Sequence, residues 1–243
     1  MTVSLTYPHH HATGAPLVQT AQAIWAVAAQ LRAAVDRLET PWALTAAELT
    51  RAATRMVINE RPIRADWDFD HPVHDEDGQA VLGICETDPA APGLALVSVN
   101  PGMVTNRPDL ALSTIAHEAG HVVFDVPAAT GQQARRYRSV TANLTSLDRA
   151  TELSERRANE FMGAVLAPPA ALHLRLVIHA RAERLRMVHA PNFGRAGCRV
   201  LARGTPPEAL SGVIAALSGD FGVSERFIAV RLHRYRLVEG GCL

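Results

Sequence analysis

The apolar positions of the chain change their spacing several times, and each change predicts an element. Over residues 17–38, Val27, Leu31, Val35 and Leu38 recur at helical intervals, which predicts a first helix ended by Thr40-Pro41. Thr45-Ala-Ala-Glu48 has the form of a capping box and opens a second helix to about Val57. Three short runs follow, at 62–69, 79–86 and 94–99, with Asp75-Glu-Asp-Gly78 and Pro89-Ala-Ala-Pro-Gly93 as turns. They predict a small antiparallel sheet. Helical spacing returns at 109–124. Leu112, Ile115, Ala116, Ala119, Val122 and Val123 share one face of that helix, and His117 and His121 share the other. Pro127 ends it.

Further helices are predicted at 152–166, 170–187, 205–218 and 224–237. Asp148 or Thr151 caps the first, Pro168-Pro169 starts the second, and Thr205-Pro-Pro-Glu208 opens the third. Residues 126–149 are polar and read either as a flexible loop over the cleft or as disordered chain, and residues 191–204 read as a Gly/Arg-rich connection. The fold class expected is therefore α+β, mainly helical, with a small antiparallel sheet and a C-terminal helix-turn-helix-like region. The division expected is a flexible tail at 1–15, a main domain at 16–190 and a helical region at 191–243 packed on it.

Composition narrows the function classes. Hydrophobic residues make up 48% of 243, enough for a sizeable core, and the formal net charge is zero. Zero charge argues against a strongly basic nucleic-acid surface. Cys85, Cys198 and Cys242 are far apart and form no C-x-x-C pair, which disfavours disulfide scaffolds and Cys-type zinc sites and suits a reducing cytoplasm. No apolar run approaches the ~18 residues of a membrane span, and no signal-peptide pattern opens the chain. The expected localisation is cytoplasmic.

The chemistry is concentrated at His117-Glu118-Ala119-Gly120-His121. Two imidazoles four residues apart on a helix point the same way and can hold one Zn²⁺. Glu118 lies about 100° round the helix and can take a proton from the water that the metal activates. Gly120 permits close approach of another backbone. A third ligand is needed. The form H-E-x-x-H-x-x-G-x-x-H is excluded, because Phe124 and Pro127 stand where Gly and His would be. Glu155, on the inward edge of the 152–166 helix, is the candidate, and Glu152 is the reserve. Glu160 points largely away from the apolar stripe. Asn159, one turn beyond Glu155, could bond a ligand imidazole. Tyr137, His179 and His189 are candidate donors to an oxyanion. The acidic stretch from Asp66 to Asp77 reads as a solvated hairpin surface.

His117-Glu118-Ala-Gly-His121, followed by Glu155-Arg-Arg-Ala158-Asn159-Glu-Phe161 through Leu166-Ala-Pro168, resembles the ImmA/IrrE family of zinc metallopeptidases. Met162 stands where that family usually has Ala, and the stretch from His121 to Glu155 is longer than usual. The end of the chain, Phe221-Gly-Val-Ser224 through Val230-Arg-Leu232, is similar to the family's helix-turn-helix-like segment. The resemblance implies a gluzincin-like fold in the main domain, one Zn²⁺ per chain on His117, His121 and Glu155, and Glu118 as catalytic base. It also implies cleavage of a helix-turn-helix repressor that controls stress-response or mobile-element genes. The rival expectation is a regulatory DNA- or protein-binding module with a structural metal. There Arg226, Arg231, Arg234 and Arg236 on the last helix would meet phosphates.

Overall fold

The computed structural model describes residues 2–17, 19–35, 42–75, 77–129, 135–138, 148–193 and 195–241. The chain forms two compact units, one of Met1–Glu39 and Thr45–Val165, the other of Thr40–Leu44 and Leu166–Leu243.

The first unit is a sheet with helices. Its strands are β1 (Val3–Leu5), β2 (Arg55–Ile58), β3 (Arg61–Asp68), β4 (Gly83–Thr87), β5 (Leu94–Val99) and β6 (Arg135–Arg138), in the order β1-β2-β3-β5-β4-β6. The sheet is mixed, not antiparallel as expected: β1 runs parallel to β2, and β3 parallel to β5. The turn signals around residues 75–78 and 89–93 were right, but they do not determine strand order. β5 inserts between β3 and β4, and the long connection from Asp68 to Gly83 crosses the sheet end to allow it.

Residues 2–15 are not a tail. Val3, Leu5 and Tyr7 are buried, β1 joins the ladder, and the Tyr7 hydroxyl donates to the Val123 carbonyl at 2.8 Å. Their alternating burial is the period-2 signal of a strand, overshadowed in the sequence by the neighbouring Pro and His.

The helices follow their local signals more closely. In α1 (Ala21–Ala33), the Thr20 side chain accepts from Ala23 N. In α2 (Ala46–Thr54), the capping box of Thr45 and Glu48 is complete. Asn100 ends β5 and caps the short α3 (Pro101–Val104). Its buried amide also donates to the Val73 and Val81 carbonyls, both at 3.0 Å, tying the Asp68–Gly83 connection to the start of α3, which leads into the motif helix. That helix, α4 (Pro108–Phe124), packs on α2, β4 and β5. The last helix of the unit is α5 (Arg149–Leu166). Asp148 rather than Thr151 serves its N-terminus, accepting from Ala150 N and Thr151 N.

The second unit holds α6 (Pro169–Ala182), a hairpin of β7 (Met187–Asn192) and β8 (Arg195–Leu201), α7 (Pro207–Phe221) and α8 (Glu225–Arg234). The hairpin replaces the connection expected at 191–204. Pro191 and Gly197 conceal it in the sequence, and the register shift between Ala190 and Asn192 accommodates the proline. Gly222, at φ 65°, ends α7, and Ser224 caps α8. Of the four Arg expected on the last helix, Arg226 and Arg234 lie exposed on α8. Arg231 is buried and lies over the Phe227 ring, while Arg236 falls beyond the helix end. Among the described residues no single helix is long and apolar enough to cross a membrane.

Candidate metal centre

The site is assembled by two helices that touch at a glycine. A Cβ placed on Gly120 would lie 2.8 Å from the Ala158 Cα, so only glycine lets α4 and α5 approach this closely. One residue on from Gly120 is His121, and three residues back from Ala158 is Glu155. The contact therefore brings the ligand-bearing turns of both helices together.

The three expected ligands converge. The Nε2 atoms of His117 and His121 are 3.1 Å apart. Glu155 Oε2 is 3.3 Å from His117 Nε2, and Glu155 Oε1 is 3.2 Å from His121 Nε2. Four-coordinate zinc with bonds near 2.0 Å separates its donors by about 3.3 Å. The spacing fits, and so does the donor set of two imidazoles and a carboxylate. All three side chains are buried, and together they could hold a metal ion.

A cation is also what the electrostatics call for. Burial alone would lower the His121 pKa, but its bonds to Asp125 and Glu155 outweigh that and raise it to about 10. Burial likewise favours a neutral Glu155, yet bonds from His117 and His121 hold it down at about 2. Without metal, a proton on His121 balances the carboxylates around it. A metal ion would supply the same positive charge at the same place.

His121 is oriented from behind by a residue that sequence reasoning missed. Its Nδ1 donates to Asp125 Oδ2 at 2.8 Å, which leaves Nε2 free to face the other donors. Asp125 is held in turn by the Ser154 hydroxyl at 2.6 Å and by Arg157 Nη2 at 2.7 Å. Burial would raise the Asp125 pKa, but the bond from His121 and the charge of Arg157 keep it low. The signal was available as the i, i+4 spacing of His121 and Asp125 on one helix. Asn159, expected in this role, donates instead to the Glu155 carbonyl within its own helix.

Glu118 is fully buried. It lies against β4, where Gly83 makes room: a Cβ there would be 2.8 Å from Glu118 Oε1. The ligand face of α4, opposite its apolar stripe, is covered as well. His117 is 6% exposed, and Glu118 and His121 are 0%. Helical periodicity sorts residues round an axis but does not reveal a second layer packed on the polar side.

The remaining candidates separate clearly. Glu152 pairs with Arg156 near the surface and is not a ligand. Glu160, expected to face away, is buried and accepts from Trp25 Nε1 at 2.7 Å. The Tyr137 ring stacks on His121 with centroids 5.4 Å apart. His179 and His189 belong to the second unit, where His179 contacts Asp220 at 2.6 Å. In the acidic stretch, Asp66 pairs with Arg64, Asp68 with His71, and Asp75 organises its own turn. No protein-family model, curated protein or solved structure matches the chain.

Proposed function

We propose that the chain is a zinc-dependent endopeptidase of the ImmA/IrrE type, with a zincin-like first unit, that cleaves a helix-turn-helix repressor in the cytoplasm. The observation that carries the metal reading is the convergence of His117, His121 and Glu155 at 3.1 to 3.3 Å. The substrate class rests on the resemblance of His117–His121 and Glu155–Pro168 to that family's paired motifs.

His117, His121 and Glu155 would hold the metal, and Asp125 fixes the His121 ring through Nδ1. When bound, zinc supplies Lewis acidity towards water and the scissile carbonyl. Glu118 takes the proton of the attacking water on its carboxylate and returns it to the leaving amine. The side chain packs against β4 at Gly83, and a fixed carboxylate favours proton transfer in a set direction.

The test is Glu118→Gln. The variant keeps its zinc, measured by elemental analysis, and loses cleavage of a co-encoded repressor. Retained cleavage overturns the mechanism. A second reading, a structural metal in a regulatory module, draws on the burial of the site. It predicts a zinc-bearing wild type that cleaves nothing and a Glu155→Gln variant that unfolds more readily.

A further inference from the structure

A peptidase that acts on a protein must admit a polypeptide, yet the ligands here are sealed. His121 is 0% exposed and Glu155 2%. One cover is visible. β6 is the last strand of the sheet and pairs antiparallel with β4, setting Ile84 opposite Arg138, Cys85 opposite Tyr137, Glu86 opposite Arg136 and Thr87 opposite Arg135. The pairing runs along the strand whose Gly83 leaves room for Glu118, since a Cβ there would be 2.8 Å from Glu118 Oε1. It ends with the Tyr137 ring stacked on the ligand His121, 19° from parallel. A four-residue strand at a sheet edge is a weakly held element, and the edge beneath it offers a full row of backbone donors and acceptors to any extended segment that replaces it.

We infer that β6 is a resident occupant of the β4 edge: it keeps the metal centre closed, and an extended segment of a protein substrate opens the centre by taking its place. The partner is defined by backbone chemistry, a strand antiparallel to β4 with one side chain reaching the His121 ring. The inference rests on the peptidase reading for its substrate, but the closure itself stands on the pairing and the ring stack.

Two variants of the full chain test it. Tyr137→Ala removes the stacked ring. Tyr137→Cys, in a Cys198→Ser and Cys242→Ser background, places a thiol opposite Cys85. Antiparallel partners lie about 4.5–5.5 Å apart at Cα, within disulfide reach, so oxidation ties β6 down and reduction frees it.

Zinc release to a chelator and amide exchange at residues 84–87 are the readouts. Tyr137→Ala speeds both by about tenfold, the loss of roughly one good contact. Oxidised Tyr137→Cys is slow in both, and thiol reductant makes it fast. Equal rates in the oxidised and reduced forms overturn the closure. If the protein binds no zinc, the peptidase reading fails, and amide exchange alone still decides whether β6 opens. An excess of the peptide Ala-Arg-Arg-Tyr-Arg-Ser, the chain's own residues 134–139, is expected to raise exchange in β6 while β4 stays protected. Unchanged β6 exchange overturns replacement by an incoming strand.

Discussion

Gly120→Ala sets two effects of opposite sign against each other. In a helix interior alanine is favoured over glycine by about 1 kcal/mol. At this position, however, the new methyl would sit 2.8 Å from the Ala158 Cα, with the Ala158 Cβ and carbonyl oxygen each at 3.2 Å. To reach the ~3.5 Å of ordinary carbon contact, α5 must retreat by about 0.7 Å. Both partners are backbone of long helices, so no side chain can swing aside. Such overpacking costs about 1–3 kcal/mol. The net change is a loss of up to about 2 kcal/mol.

The metal centre should suffer more than the fold. Donor positions in a metal site tolerate roughly ±0.2 Å, and Glu155 sits one turn from the point of contact on the helix that moves. The expected loss of zinc affinity is at least the ~10–100-fold seen when a partner behind the ligands is removed. Competition against a chromophoric chelator measures it, and urea unfolding of the metal-free protein measures the stability change separately. A variant with wild-type zinc affinity, or with a metal-free form more stable than wild type, would refute the role assigned to the Gly120–Ala158 contact.

Three further outcomes follow from the same structure. The metal-free protein should show a pH-dependent stability set by its ligands. His121 is raised from 6.5 to about 10, so its contribution is fully present below pH 6.5 and is lost as pH rises through about 10. Glu155 is lowered from 4.5 to about 2, so its contribution is present above pH 4.5 and is lost as pH falls through about 2. Zinc added at neutral pH must displace the His121 proton. Calorimetry in buffers of different ionisation enthalpy should find about one proton released per zinc, and none would show that His121 is neutral in the metal-free protein. Asn100→Ala takes the side-chain donor from the buried Val81 carbonyl, while the Val73 carbonyl keeps the Val81 N–H at 3.1 Å, and should cost about 1–3 kcal/mol, read as a lowered urea midpoint.

The sequence by itself determined the parts of this protein whose geometry is local. His117 and His121 lie one helical turn apart, so their spacing already places both imidazoles on one side of α4. Thr45 and Glu48 close a capping box three residues long, and the phase of α5 turns Glu155 inward. In each case the backbone between the residues is short and regular, so position along the chain is position in space. His121 and Asp125 obey the same rule and were equally legible.

Tertiary structure decided the rest. The order of β3, β5 and β4 depends on which strand edges meet after a long connection, and nothing within any one strand encodes that. The antiparallel reading failed for this reason. Val3 and Leu5 became core only because β2 offered an edge to pair with. Asn159 chose its own helix carbonyl over the imidazole, a competition between acceptors that spacing cannot rank. Most consequential is the covered face of α4. A polar stripe on a helix looks the same in sequence whether water or another layer lies over it, and here β4, α5 and β6 complete that layer. The two-His motif thus supplied two of the three residues that could hold a metal ion, while the packing of a glycine against Ala158 and of a tyrosine against His121 determined how closely the three meet and what lies over them.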